Sequence, residues 1–163
     1  MPHGLRWFEM SVSRKAMPAD APPHFILLSR DITARKQTEE QLQRLNRTLR
    51  VLSTCSLALV NTQDEKTYMV DVCRALVEDG GYLMAWIGIA DQDAAKTVRC
   101  VAEFGDAKDY LHTIRVSWDP ASPLGQGPTG RAIGTGTTQV NQNYENNPSV
   151  APWRRAAQAC GFQ

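Results

Sequence analysis

The residues of this chain that could do chemistry are few, and their spacing limits what they can do. Gly125-x-Gly127-x-x-Gly130 reproduces the string with which a helix N-terminus cradles a dinucleotide pyrophosphate. That chemistry needs the glycines directly behind a strand and backbone N–H groups free to meet phosphate. It also needs an acidic residue about 20 positions further on for the ribose. Here Asp119-Pro120-Ala121-Ser122-Pro123 intervenes, Pro128 removes an N–H, and Glu145 arrives early, so the nucleotide reading is rejected. His3, His24 and His112, with Cys55, Cys73, Cys100 and Cys160, are metal-ligating types without ligand spacing for zinc. No nucleophile stands with a base, and no carboxylate pair has a reason for a raised pKa. The sequence supports neither catalysis nor a metal centre.

The bulk numbers narrow the class further. The chain has 163 residues, a formal net charge of +1, 42% hydrophobic and 21% charged residues, as a globular protein does. A near-neutral balance argues against a nucleic-acid binder, which carries a clustered basic excess. Arg44, Arg47 and Arg50 do gather, but on a helix face beside leucines, where solvation explains them. No run approaches the roughly 20 apolar residues of a membrane helix, and the N-terminus has no secretion signal. Four unpaired cysteines then fit reduced thiols in a cytoplasmic protein.

The elements that must position these residues begin with two strands. Residues 5–15 alternate, with Phe8, Met10 and Val12 on one side and Trp7, Glu9, Ser11 and Ser13 on the other. After a proline-punctuated turn over Ala16–Pro23 comes a second strand, His24–Ser29. Such a hairpin is marginal alone and reads as the end of a larger domain. From Asp31-Ile32-Thr33 onward nothing breaks helical periodicity until Asn61. Leu42, Leu45, Leu49, Leu52 and Leu59 step by three and four, with Ser56 in the remaining position. That is the heptad seam by which two parallel helices bury against each other. A single helix packed on its own chain would also use such a face. Asn46 and Ser56 predict a modest, adjustable interface.

Beyond the helix, Thr62-x-x-Glu65 is a capping-box pattern, followed by apolar helical spacing through Val77 and a Gly80-Gly81 stop. Strands follow at 82–90 and 98–104, a short helix at 106–112, and a third strand through Ile114, Val116 and Trp118. Pro128 to Gly136 reads as a helix, then a short strand reaches Val140. Ser149 is a helix N-cap before a last helix over 150–160.

Two resemblances emerge from these segments. Gly4-x-x-Trp7-Phe8-Glu9, then Phe25 to Thr33 closing on Asp-Ile-Thr with Arg35-Lys36 and Glu39-Glu40, resembles the last two strands of a PAS sensor domain and its exit helix. Val77-Glu78-Asp79-Gly80-Gly81-Tyr82 with Ala85-Trp86-Ile87-Gly88 resembles a GAF domain. So do Gly127-Pro128-Thr129-Gly130-x-Ala132-Ile133-x-Thr135-Gly136, Asn147-Pro148-x-x-Ala151-Pro152-Trp153-Arg154 and Ala159-x-Gly161-Phe162. The arrangement is similar to bacterial PAS–GAF sensory proteins. It implies an α+β fold: a mostly antiparallel GAF-type sheet with flanking helices, preceded by a long signalling helix and a PAS hairpin remnant, truncated at both ends. The divisions expected are 1–33, 34–60 and 61–163.

The resemblance carries functional expectations. GAF domains hold ligands between sheet and helices, which makes Trp118, Trp153 and Arg131 candidates for a small-molecule pocket, with core packing as the alternative for the two tryptophans. Bilin attachment at Cys160 is disfavoured because no histidine adjoins it. PAS segments that hold haem or flavin would lie upstream of Met1, so the cofactor is unknown and none is evident. The implied function is sensory: GAF sensing of a small molecule or partner, coupled through a homodimeric helix to an output domain outside this chain. The alternatives are an inactive fragment of a sensor histidine kinase or diguanylate cyclase, and a free-standing dimerisation module.

Overall fold

A computed structural model describes residues 5–15, 24–106, 108–141, 144 and 146–160. Contacts divide the chain between Thr48 and Leu49 into two compact units. The fold class is α+β: each unit contains a two-stranded antiparallel sheet, and helices occupy most of the rest.

In the first unit, β1 (Phe8–Lys15) pairs with β2 (His24–Asp31) in a register running from Phe8↔Asp31 to Lys15↔His24. Partners in register share a face, so Phe8, Met10 and Val12 lie with Leu27 and Phe25, and this apolar face is exposed. The turn expected at Ala16–Pro23 lies outside the described residues. The Asp31-Ile32-Thr33 junction has a definite geometry. Ile32 N–H donates to the Trp7 carbonyl at 2.9 Å, and Trp7 N–H donates to Thr33 Oγ1 at 2.9 Å. Asp31 Oδ1 accepts from Thr33 N–H, also at 2.9 Å, where α1 (Thr33–Asn61) begins. The tripeptide thus closes the hairpin and starts the helix with the same three residues.

In the second unit, α2 (Glu65–Glu78) starts at Asp64, whose carboxylate accepts from Thr67 N–H at 2.9 Å. The expected capping box at Thr62 is displaced by two residues, because Thr62 N–H still bonds back to Ala58 at the end of α1. The helix does end at the Gly80-Gly81 stop. Gly81 takes φ +73°, a left-handed conformation glycine adopts without steric cost. α2 packs on β3 (Met84–Ala90) and β4 (Val98–Gly105), which pair antiparallel with a bulge at Ile87/Gly88. Cys73 and Ala75 of α2 and Val98 and Ala102 of β4 are buried.

The third strand expected at 114–118 does not form a full ladder. Only the pair Thr97↔Ser117 bridges, flanked by Val98 N–H to Val116 and Trp118 N–H to Lys96, both at 2.9 Å. α3 (Lys108–Thr113) leads into this segment, and α4 (Pro128–Thr135) follows a single 3-10 turn at Pro123–Gly125. α4 has proline in its first turn and the left-handed Gly136 at its exit, as the sequence predicts. The strand expected to end at Val140 is absent: 138–141 form no ladder among the described residues. The last helix is interrupted as well. Asn147 rather than Ser149 is the cap, and a 3-10 segment, Pro148–Trp153, precedes α5 (Arg154–Ala159). Pro152 has no N–H for an α ladder, which accounts for the break. Tyr110, Val150, Trp153 and Ala157 form the core cluster here. Among the described residues no helix is long and apolar enough to cross a membrane.

Candidate functional site

The site with room for a ligand lies beside the second sheet. A cavity of about 540 Å³ is bounded by Trp86 of β3, Val98 and Cys100 of β4, Leu111 of α3, and Ile114, Arg115, Val116, Ser117, Asp119, Ser122 and Leu124 of the segment that follows, with Ala95 and Thr97. That size falls within the usual range for small-molecule pockets. Gly88 shapes one wall, because a Cβ there would strike both the Trp86 indole and a Val98 methyl. The missing side chain lets the flat ring lie over the strand.

Most polar groups of the wall are already engaged. The Ser117 hydroxyl lies 2.9 and 3.1 Å from the carbonyls of Ala95 and Lys96, and its oxygen accepts from Asp119 N–H at 3.0 Å. Ser122 Oγ accepts from Leu124 N–H, and Thr97 Oγ1 donates to Asp93 at 2.7 Å. The Asp119 carboxylate accepts from Ala121 N–H and stands 3.5 Å from Lys96 Nζ. Arg115 differs: its carbonyl accepts from Trp153 Nε1 at 2.7 Å, whereas its guanidinium has no partner among the described residues. Two thiols have raised pKa values. Burial pushes the Cys73 pKa up, and desolvation followed by the Glu103 carboxylate does the same for Cys100.

The three residues read from sequence as a pocket occupy different settings, and none lines this cavity. Trp118 is half-buried against the Asp91–Lys96 loop: its Nε1 donates to the Asp91 carbonyl at 2.9 Å, and Lys96 Nζ sits 5.1 Å from the ring centroid. Trp153 is 6% exposed and belongs to the core cluster, its ring filling the space above Gly127. Arg131 is exposed on α4. Sequence reasoning passed over Arg115, although one signal was available: it is the single cation between Ile114 and Val116 in an alternating apolar run. The described residues contain no cluster of three or more His, Cys, Asp or Glu fit for a metal ion.

The leucine seam forms the second candidate surface. Leu42, Leu45, Leu49, Leu52 and Leu59 are 54–62% exposed, and α1 has no buried residue. Its tie to the second unit is on another face, where Thr54 Oγ1 donates to Asp79 Oδ2 at 2.7 Å and Val51, Cys55 and Ala58 are half-buried. At 100° per residue that face lies roughly 140° around the helix from the leucines.

No family model matches the chain, and no match is found among curated proteins or solved structures.

Proposed function

We propose that this chain is a sensory-regulatory module of the PAS–GAF kind. In this reading the second unit senses a small molecule in its cavity, and α1 pairs with α1 of a second copy through the leucine seam. The pair passes the change to an output domain outside this chain. The observation that carries the reading is the seam itself: leucines at a 3.5-residue repeat, exposed, on a helix whose tie to its own unit uses a different face. A second copy is the occupant that fits best, because leucines alternating at both core positions of a heptad complement themselves. Ser56 within the seam and Asn46 beside it weaken the pair, and a switch needs two states separated by only a few kcal/mol. The cavity supplies the other half of the reading, an input that packs against the sheet. Sedimentation equilibrium of the whole chain at tens of micromolar tests it. A dimer is expected, and a monomer at that concentration overturns the coupling mechanism.

A further inference from the structure

We infer that the cavity beside β3 and β4 takes a small anion with a flat apolar body, an aromatic carboxylate in chemical class, and that Arg115 reads its charge. This rests on the sensory reading above and names the kind of molecule sensed. The apolar part follows from the walls: Trp86, Val98, Leu111, Ile114, Val116 and Leu124 surround about 540 Å³. The Trp86 indole, laid over Gly88, offers a flat surface on which a planar ring stacks in an offset arrangement.

The charge follows from what the wall leaves unanswered. Thr97 and Ser117 donate their hydroxyls to the chain, Ser122 Oγ accepts from a backbone N–H, and Asp119 is met by Lys96 and a backbone N–H. Arg115 is the lining residue whose charged group has no partner among the described residues, and its planar fork matches a carboxylate at the cavity mouth. An anion gains a charge-assisted pair there without displacing anything. A cation would meet only the already paired Asp119.

Calorimetric titration of the full chain with benzoate and indole-3-acetate, beside their neutral amides, tests the assignment. The carboxylates are expected to bind about tenfold more tightly than the amides, as one charge-assisted hydrogen bond allows. Arg115→Gln is expected to erase that difference while leaving amide binding in place, and Arg115→Lys to keep part of it. Arg115 is exposed and holds Trp153 only through its backbone, so both variants keep the fold. Equal binding of acid and amide overturns the anion class and leaves a sensing cavity standing. Binding by none of the four compounds overturns the assignment of this ligand class, while the sensory reading is decided by the oligomeric state. A preference that survives in Arg115→Gln overturns the role of Arg115.

Discussion

Gly125, Gly127 and Gly130 show at the residue scale how one sequence string can serve packing rather than phosphate. A Cβ at Gly125 would strike the Asp119 backbone, one at Gly130 the Gly125 backbone, and one at Gly127 the Trp153 ring. Gly134, in α4 with Gly130, faces open space. Gly125→Ala and Gly130→Ala are therefore expected to destabilise by about 1–3 kcal/mol through overpacking. Gly134→Ala is expected to stabilise by about 0.5–1 kcal/mol through helix propensity. Urea unfolding of the three variants checks this, and an equal loss at all three positions would refute it. Tyr110 supplies a second test at this scale. Burial, then the hydrogen bond with Tyr144 Oη at 3.0 Å, pushes its hydroxyl pKa well up. The folded state thus holds the proton more tightly than the unfolded chain. Its contribution is complete below the ordinary tyrosine pKa of about 10 and falls as pH rises beyond it. Thermal melts from pH 8 to 11 should decline above pH 10, and Tyr110→Phe should flatten that decline. Side chains of this kind explain why the site was less legible than the elements. Sequence shows that Trp153 adjoins a polar loop, but not that Gly127 opens a slot for its ring.

Elements were legible where a local rule fixed them and illegible where a distant partner decided. The Asp31-Ile32-Thr33 junction and the long helix follow from local capping and periodicity, and so does α4 between Pro128 and Gly136. The segment 114–118 alternates like a strand, yet its pairing stops after one bridge. Ser117 and Trp118 direct their side chains to the Asp91–Lys96 loop instead of extending a ladder. The start of α2 fell on Asp64 rather than Thr62 because the Thr62 N–H is still bonded to the Ala58 carbonyl at the end of α1. Asp31, Asp64 and Asp93 repeat one device, a carboxylate accepting from the N–H and side chain of a threonine or from its N–H alone. These bonds lower all three pKa values, with the Thr33, Thr67 and Thr97 contacts as the leading causes. A carboxylate with a depressed folded pKa contributes stability above its ordinary value of about 4 and loses it as pH falls through the folded one. Melting temperature should therefore drop below pH 4. Asp64→Asn, measured by circular dichroism, should shallow that drop and lower the melting point of the protein at pH 7. An unchanged acid limb would remove Asp64 from the account.

At the scale of the molecule the unresolved balance concerns α1. Helices in proteins draw most of their stability from packing an amphipathic face, and isolated ones are marginal in water. Yet α1 runs 29 residues with none buried, so the leucine seam leaves its principal apolar face open to solvent. A second α1 would resolve this, because each leucine moved out of water by the partner gains free energy in proportion to its apolar area. Leu49→Ala with Leu52→Ala removes four core leucines from the proposed dimer. At even about 1 kcal/mol each, that raises its dissociation constant by roughly a thousandfold. Arg47→Ala, at a position outside the seam, should leave the constant unchanged. The same linkage makes stability depend on concentration, since anything that binds only the folded chain raises its melting point by mass action. The melting temperature of the wild-type chain should therefore climb with concentration, and that of the double variant should not. Amide exchange over residues 37–50 localises the effect. Protection there should rise with concentration if the partner helix supplies the missing packing, and concentration-independent protection would show that α1 stands without it.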